Sequence, residues 1–379
     1  MRFNKKISWK RLLQVIIPLV LIGLMIMGGS LVDFDPLGAD NRSFYAQATV
    51  IEVTVDNTGG EPFMGNQKVV ARITSGEYRN YRCDLENPNT YQRGAFCVPG
   101  TKIIALVRAD AEGKLVGNVY NYDRTEMVWV LLGLFALIMV AVGGKKGAAA
   151  LYALVFTFVC VICVYVPLLY VGMNGILAAI ITAVLILFAY IYILNGWSLK
   201  TLCGVLGTTA GVALSGLLAM IVGSAYDLSG FNMEDVEGMI YIAGHSNLDV
   251  ANILYAGVLI SSLGAVMDVS VSIVAAMQEI HEKAPKLAAK ELFASGMRVG
   301  HDMMGTMSNT LILAYTGSAT SVLLSMYAYG MPYLQVMGYN SIVIEILCGL
   351  CGTIGVILTV PVQTAITTLV LCSRGKKKK

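Results

Sequence analysis

Charge is scarce in this chain. Only 13% of its 379 residues are Asp, Glu, Lys or Arg, about half of the ~25% usual in soluble domains. With 56% hydrophobic residues and a mean hydropathy of +0.69, that scarcity excludes a soluble enzyme, a nucleic-acid binder and a disordered chain. Catalytic signatures are missing too. There is no HExxH, no GxSxG and no Walker loop, so protease, hydrolase and ATP-driven chemistry have no motif to stand on. The expectation is a chain that is not an enzyme, with no catalytic residues, no cofactor and no metal.

What fills the space left by charge is a series of apolar runs. A spanning helix needs ~20 mostly apolar residues. Eight segments qualify, near Leu12–Val32, Met127–Val142, Ala148–Val171, Ile176–Leu194, Leu202–Gly223, Ile253–Met277, Val299–Tyr327 and Ile342–Leu371. The expected fold class is an α-helical polytopic membrane protein of about eight transmembrane helices, with a small extracytoplasmic β-rich domain after the first. The expected division is 1–11, a basic cytoplasmic start; 12–32, the first span; 33–126, the outer domain; 127–371, seven spans; and 372–379, a basic tail.

Lys and Arg orient these spans. Seventeen of the 27 basic residues fall before the first span or after the second, fourth, sixth and eighth, and the other ten lie between Arg42 and Arg124. Both termini are therefore expected in the cytoplasm of a bacterial cell whose inner membrane holds the chain. The tail Arg374–Lys379 would sit beside anionic lipid, at ~1 kcal/mol per charge. The length of the first span and the lack of a small-x-small cleavage site predict an uncleaved anchor, a cleaved signal peptide being the alternative.

In the outer segment, β-branched alternation appears at Thr49–Val55, Lys68–Ile73, Ile103–Val107 and Leu115–Tyr120, the last two joined by the turn Asp110–Gly113. This predicts a small barrel or sandwich. Cys83 and Cys97 are its two cysteines. A disulfide between them and a pair of reduced thiols are both open readings. The pairs Cys160/Cys163 and Cys348/Cys351 fall in apolar helix, where cysteine acts as a small hydrophobe.

Chemistry within the spans is most legible at Asp268. A carboxylate at a helix centre costs ~2.5–3.5 kcal/mol on insertion scales. Ser261, Gly264, Ser272 and Ala275 share its helix face, so the stripe predicts close packing against another helix. Thr306 and Asn309 on the next span are the expected hydrogen-bond partners of Asp268, and with Glu345 they form the ion or proton relay candidates. Asp268 could equally remain protonated and tie helices together. Gly207 and Gly211, spaced by four residues, read as a packing face like that of Gly264. The acidic loop Asp227–Asp249 reads as a solvated amphipathic helix, with binding of a hard cation or collection of cations at a pore mouth as the alternative, and the segment Gln278–Met297 reads as a helix lying on the membrane surface.

The stretches Gly264–Ile273, Gly300–Thr310 and Tyr120–Arg124 resemble the YibE/F family of membrane proteins. That resemblance implies the topology and brings no reaction with it. A Gly264-x-x-x-Asp268 span, a charged segment and a Gly/Thr/Asn-rich span are also similar to one half of resistance–nodulation–division transporters, where an Asp at this point can belong to a proton relay. A single half would have to pair, as a homo-oligomer or with a second membrane protein. The functional expectation is ion (proton)-coupled transport or export, the partners being the lipid bilayer and a small solute or ion, with no nucleic acid. The alternative is a non-catalytic scaffold or assembly factor whose outer domain binds a partner.

Overall fold

The computed structural model describes residues 9–30, 43–59, 64–90, 94–110 and 113–377. The basic residues Arg2, Lys5, Lys6, Arg42, Arg93, Lys378 and Lys379, the start of the outer domain at Asp33, and the turn residues Ala111 and Glu112 lie outside them. The chain divides into two compact units, Asp35–Met139 and the combination of Met1–Phe34 with Val140–Lys379. Each follows its own packing logic.

The first unit is built on a closed β-barrel. Its strands are β1 (Ser43–Asp56), β2 (Asn66–Ile73), β3 (Arg82–Pro88), β4 (Lys102–Ala109) and β5 (Leu115–Tyr122), in the order β1-β2-β3-β5-β4. The β3–β5 pair is parallel, over Asp84–Glu86 and Val116–Asn118, and its neighbours in the barrel are antiparallel. The arrangement β4-β1-β2-β3 is a Greek key. Strand β3 is the one that alternation did not suggest, because Arg82-Cys-Asp-Leu-Glu-Asn-Pro88 looks polar. Its inward positions Cys83, Leu85 and Asn87 are buried and its outward ones exposed, the period-2 pattern of a strand with one face on a core. Gly117 is required where β5 meets β4, since a Cβ there would overlap the Leu106 carbonyl.

Beside the side chains of the strands, the connection from β3 to β4 sends Ala95 and Cys97 into the barrel core, where side-chain amides hold it. Gln67 Oε1 accepts from Cys97 N at 2.9 Å, and Gln67 Nε2 donates to Cys97 O at 3.1 Å. Asn87 Nδ2 donates to Ala95 O at 2.6 Å and to Gln67 Oε1 at 3.0 Å. Gln67 and Asn87 are both fully buried, so these amides stand in for the strand partner that the connecting segment lacks.

Cys83 and Cys97 are free thiols. Cys97 Sγ lies beside Asn87, four residues or roughly 13 Å along β3 from Cys83, so the two sulfurs occupy different layers of the barrel. Burial pushes each thiol up to about 11. A variant retaining only these two cysteines should therefore show two maleimide-reactive thiols after denaturation and almost none when native at pH 8. Native labelling should rise only as pH approaches 11. Loss of both thiols to a disulfide in non-reducing mass spectrometry would contradict this.

The second unit is helical, and the helix that starts at Thr125 in the first unit runs on into it. Five helical stretches among the described residues are long and apolar enough to cross a membrane, or six if one bent pair counts as a span. They are built from α2 (Thr125–Cys160), continued through a π turn into α3 (Val166–Tyr170), α4 (Gly175–Asn195), α5 (Leu199–Ala225), α7 (Val250–Lys283) and α11 (Asn340–Lys377). Helix α8 (Ala289–Ser318) and α9 (Thr320–Ala328) are the bent pair, turned by 62°. Shorter pieces are α1 (Trp9–Ser30), whose apolar part is Leu13–Gly29, α6 (Val236–Ala243) and α10 (Tyr333–Met337).

The expected segments map onto these elements with four differences. The first, Leu12–Val32, meets an apolar stretch, Leu13–Gly29, that is shorter than a span among the described residues. The second and third merge into one helix interrupted at Gly144, whose φ of 54° and ψ of −130° are not helical; glycine tolerates that conformation. The seventh is broken at Ala319. The surface helix expected over 278–297 does not exist as one element. Its charges instead sit at the end of α7 and the start of α8, because Pro285 forces Ala284 out of the helical region, to φ −131° and ψ 72°.

Candidate functional site

Helices α5, α7 and α11 meet through small residues, and the large polar side chain between them is fully satisfied. Gln363 of α11 has no solvent exposure. Its Nε2 donates to Cys203 O at 3.1 Å and to Thr367 Oγ1 at 2.9 Å, while its Oε1 accepts from Ser270 Oγ at 2.6 Å. The space for it comes from Gly207, where a Cβ would overlap Gln363 Oε1. One turn on, a Cβ at Gly211 would overlap Thr359 Oγ1, and Ser215 Oγ donates to Cys351 O at 3.0 Å. This is the small-xxx-small packing of membrane helices. Ser270 is the member that sequence reasoning passed over; a hydroxyl two residues from Asp268 was the available signal.

The relay candidates are arranged differently. Asp268, Gly264, Ser261, Thr306 and Asn309 are all exposed on the chain's surface. A hydrogen bond joining α7 to α8 runs elsewhere, from Tyr315 OH to Ser261 Oγ at 2.5 Å. A Cβ at Gly264 would meet nothing within 4 Å, so this glycine packs on no helix among the described residues. Instead α8 buries Gly296 and Gly300 against Met277 and Ile273 of α7 and Val360 of α11. In these antiparallel helices, the pairs Met277–Gly296, Ile273–Gly300 and Ser261–Tyr315 put Thr306 level with Asp268, and Asn309 about a turn away. Asp268, Thr306 and Asn309 share a depth and a surface, with no direct bond among them. On α4, Tyr190 lies within electrostatic range of Asp268.

Glu345 of α11 faces the bend between α8 and α9, its Oε1 accepting from Ser318 Oγ at 3.5 Å. Among the described residues no group of three or more His, Cys, Asp or Glu is placed to hold a metal ion. In the acidic loop, His245 Nδ1 contacts Tyr241 O at 2.9 Å, and Ser341 Oγ of α11 donates to Glu234 at 3.1 Å, tying the loop to that helix.

A glycine-packed bundle of long apolar helices, with a carboxylate in the middle of one of them, defines a polytopic membrane-type helical protein that carries a β-barrel. The particular family follows from comparison. The family model of YibE/F-like proteins matches residues 131–373, and the chain belongs to that family. The match runs from within α2 to α11 and leaves both α1 and the barrel outside it. No curated protein and no solved structure matches the chain.

The contrast between the glycines is testable. Gly207→Ala should destabilise the purified full-length protein by about 1–3 kcal/mol through overpacking. Gly264→Ala should stay within about 0.5 kcal/mol of wild type. Apparent melting temperatures in detergent check both, and equal losses would contradict the packing described.

Proposed function

We propose that this YibE/F-family protein moves an ion or small solute across the bacterial cell membrane, coupled to protons, with Asp268 as the intramembrane carrier. The observation that carries the reading is a carboxylate in the middle of an apolar helix, on a face of small and polar residues, with no hydrogen-bonding partner among the described residues. Left against hydrocarbon, such a group costs ~2.5–3.5 kcal/mol. Groups of this kind are kept where they do work or are covered. Tyr190, Thr306 and Asn309 would line the route on either side of it, and the protein would act without covalent chemistry.

The topology that suits this role has eight crossings. They are α1, the two parts of α2–α3 on either side of Gly144, α4, α5, α7, the bent pair α8–α9, and α11. The distribution of Lys and Arg then supports cytoplasmic termini and an extracytoplasmic barrel. The exposed stripe Ser261, Gly264, Asp268, Thr306 and Asn309 supports a covering partner in the membrane, either a second copy or another membrane protein.

A scaffold or assembly factor is the second reading. The same stripe favours it, because Asp268, Thr306 and Asn309 are not chained by hydrogen bonds as a relay would be. Proton flux separates the two. In proteoliposomes under an imposed pH gradient and potential, the wild type should carry a flux that Asp268→Asn lowers by about ten-fold or more. A flux that Asp268→Asn leaves unchanged would remove Asp268 from the route and favour the scaffold.

A further inference from the structure

The bend between α8 and α9 leaves a cleft against α11, with a volume of about 250 Å³. Its walls are almost wholly apolar, with Ile312, Leu323, Ile346 and Leu350 all open to the surface. Glu345 is the one carboxylate in the lining, and Tyr315 supplies an aromatic wall. Oxygen Oε1 of Glu345 receives the long 3.5 Å bond from Ser318, while Oε2 is buried and has no hydrogen-bond partner.

No cation of the surrounding helices answers this carboxylate. From Thr201 to Glu282 and again from Val299 to Ser373 the sequence holds no Lys or Arg, so the parts of α8, α9 and α11 around the cleft bring no basic side chain to it. A charged neighbour that does act on it is Glu234, of like sign. A charge so placed, half surrounded by apolar side chains, calls for a positive group from outside the chain.

We propose that this cleft binds a small organic amine in its protonated form, the ammonium pairing with Glu345 and the apolar body lying against Ile312, Leu323 and Ile346. A hard metal ion is poorly served here. It wants six or more oxygens, whereas the cleft presents one carboxylate and few hydroxyls. Apolar walls with one fixed charge are the usual make-up of a site for an amphiphilic small molecule, and the Tyr315 ring adds a surface that cations favour. The site is independent of Asp268 and of any flux through the protein.

Binding of benzylammonium chloride to the full-length protein in detergent micelles, followed by calorimetry, tests this. Saturable binding is expected to weaken by about ten-fold or more in Glu345→Gln, and benzyl alcohol, the neutral analogue, should bind weaker than benzylammonium by a similar factor. Ile346→Trp should block the cleft while leaving the carboxyl in place, which guards against a Glu345→Gln protein that misfolds. No saturable binding to the wild type overturns the proposal. So does equal affinity for benzyl alcohol, binding unaffected by either substitution, or displacement of the amine by sodium ion at constant ionic strength.

Discussion

A side-chain amide sealed among apolar helices must find every donor and acceptor inside the protein, since hydrocarbon supplies none. Gln363 meets that condition with its amide nitrogen and its carbonyl both engaged, and it can do so only because Gly207 has no side chain. Helices α5, α7 and α11 are held at one separation by this requirement. Neighbouring contacts at Gly211, Ser215 and Gly355 repeat it along the same seam. The barrel solves the same problem with Gln67 and Asn87, whose amides satisfy the backbone of residues 95–97. Two folds of different class thus each bury amides whose polar atoms are met inside the protein, and in the barrel those amides also stand in for a missing backbone partner.

The bundle treats its two faces differently. Toward α5 and α11, helix α7 presents buried residues such as Val266, Ser270 and Ile273; away from them it presents Ser261, Gly264 and Asp268. The satisfied polar groups are structural, and the carboxylate without a partner lies at the surface. That division separates polar groups bonded between helices from a carboxylate that bonds to no described residue. Helix α8 follows the same rule, with Gly296 and Gly300 inward and Thr306 and Asn309 outward.

Glu345 and Asp268 are alike in lacking a basic partner and unlike in setting. Asp268 sits on an unbroken helix among small residues, whereas Glu345 stands at a break in the neighbouring helix, beside a cleft with apolar walls. A break frees backbone and opens volume, which is how binding sites arise within helical bundles. An unbroken stripe of small residues suits contact with another helix instead.

Much of this was legible in one dimension. Apolar runs located the helices, because length and hydropathy are properties of the chain itself. Alternation located four of the five strands, and the small-residue spacing marked Gly207 and Gly211 as a face. Strand β3 was hidden because its inward Asn87 is polar for a reason that only the folded barrel shows, its bonds to Ala95 and Gln67. The polar seam was hidden for a similar reason. A helical stripe tells which residues share a face, but not which neighbour that face meets. Only the tertiary packing decided that Gln363 and Ser270 turn inward while Asp268, Thr306 and Asn309 turn out, because that choice depends on which helices approach closely enough to exclude a side chain.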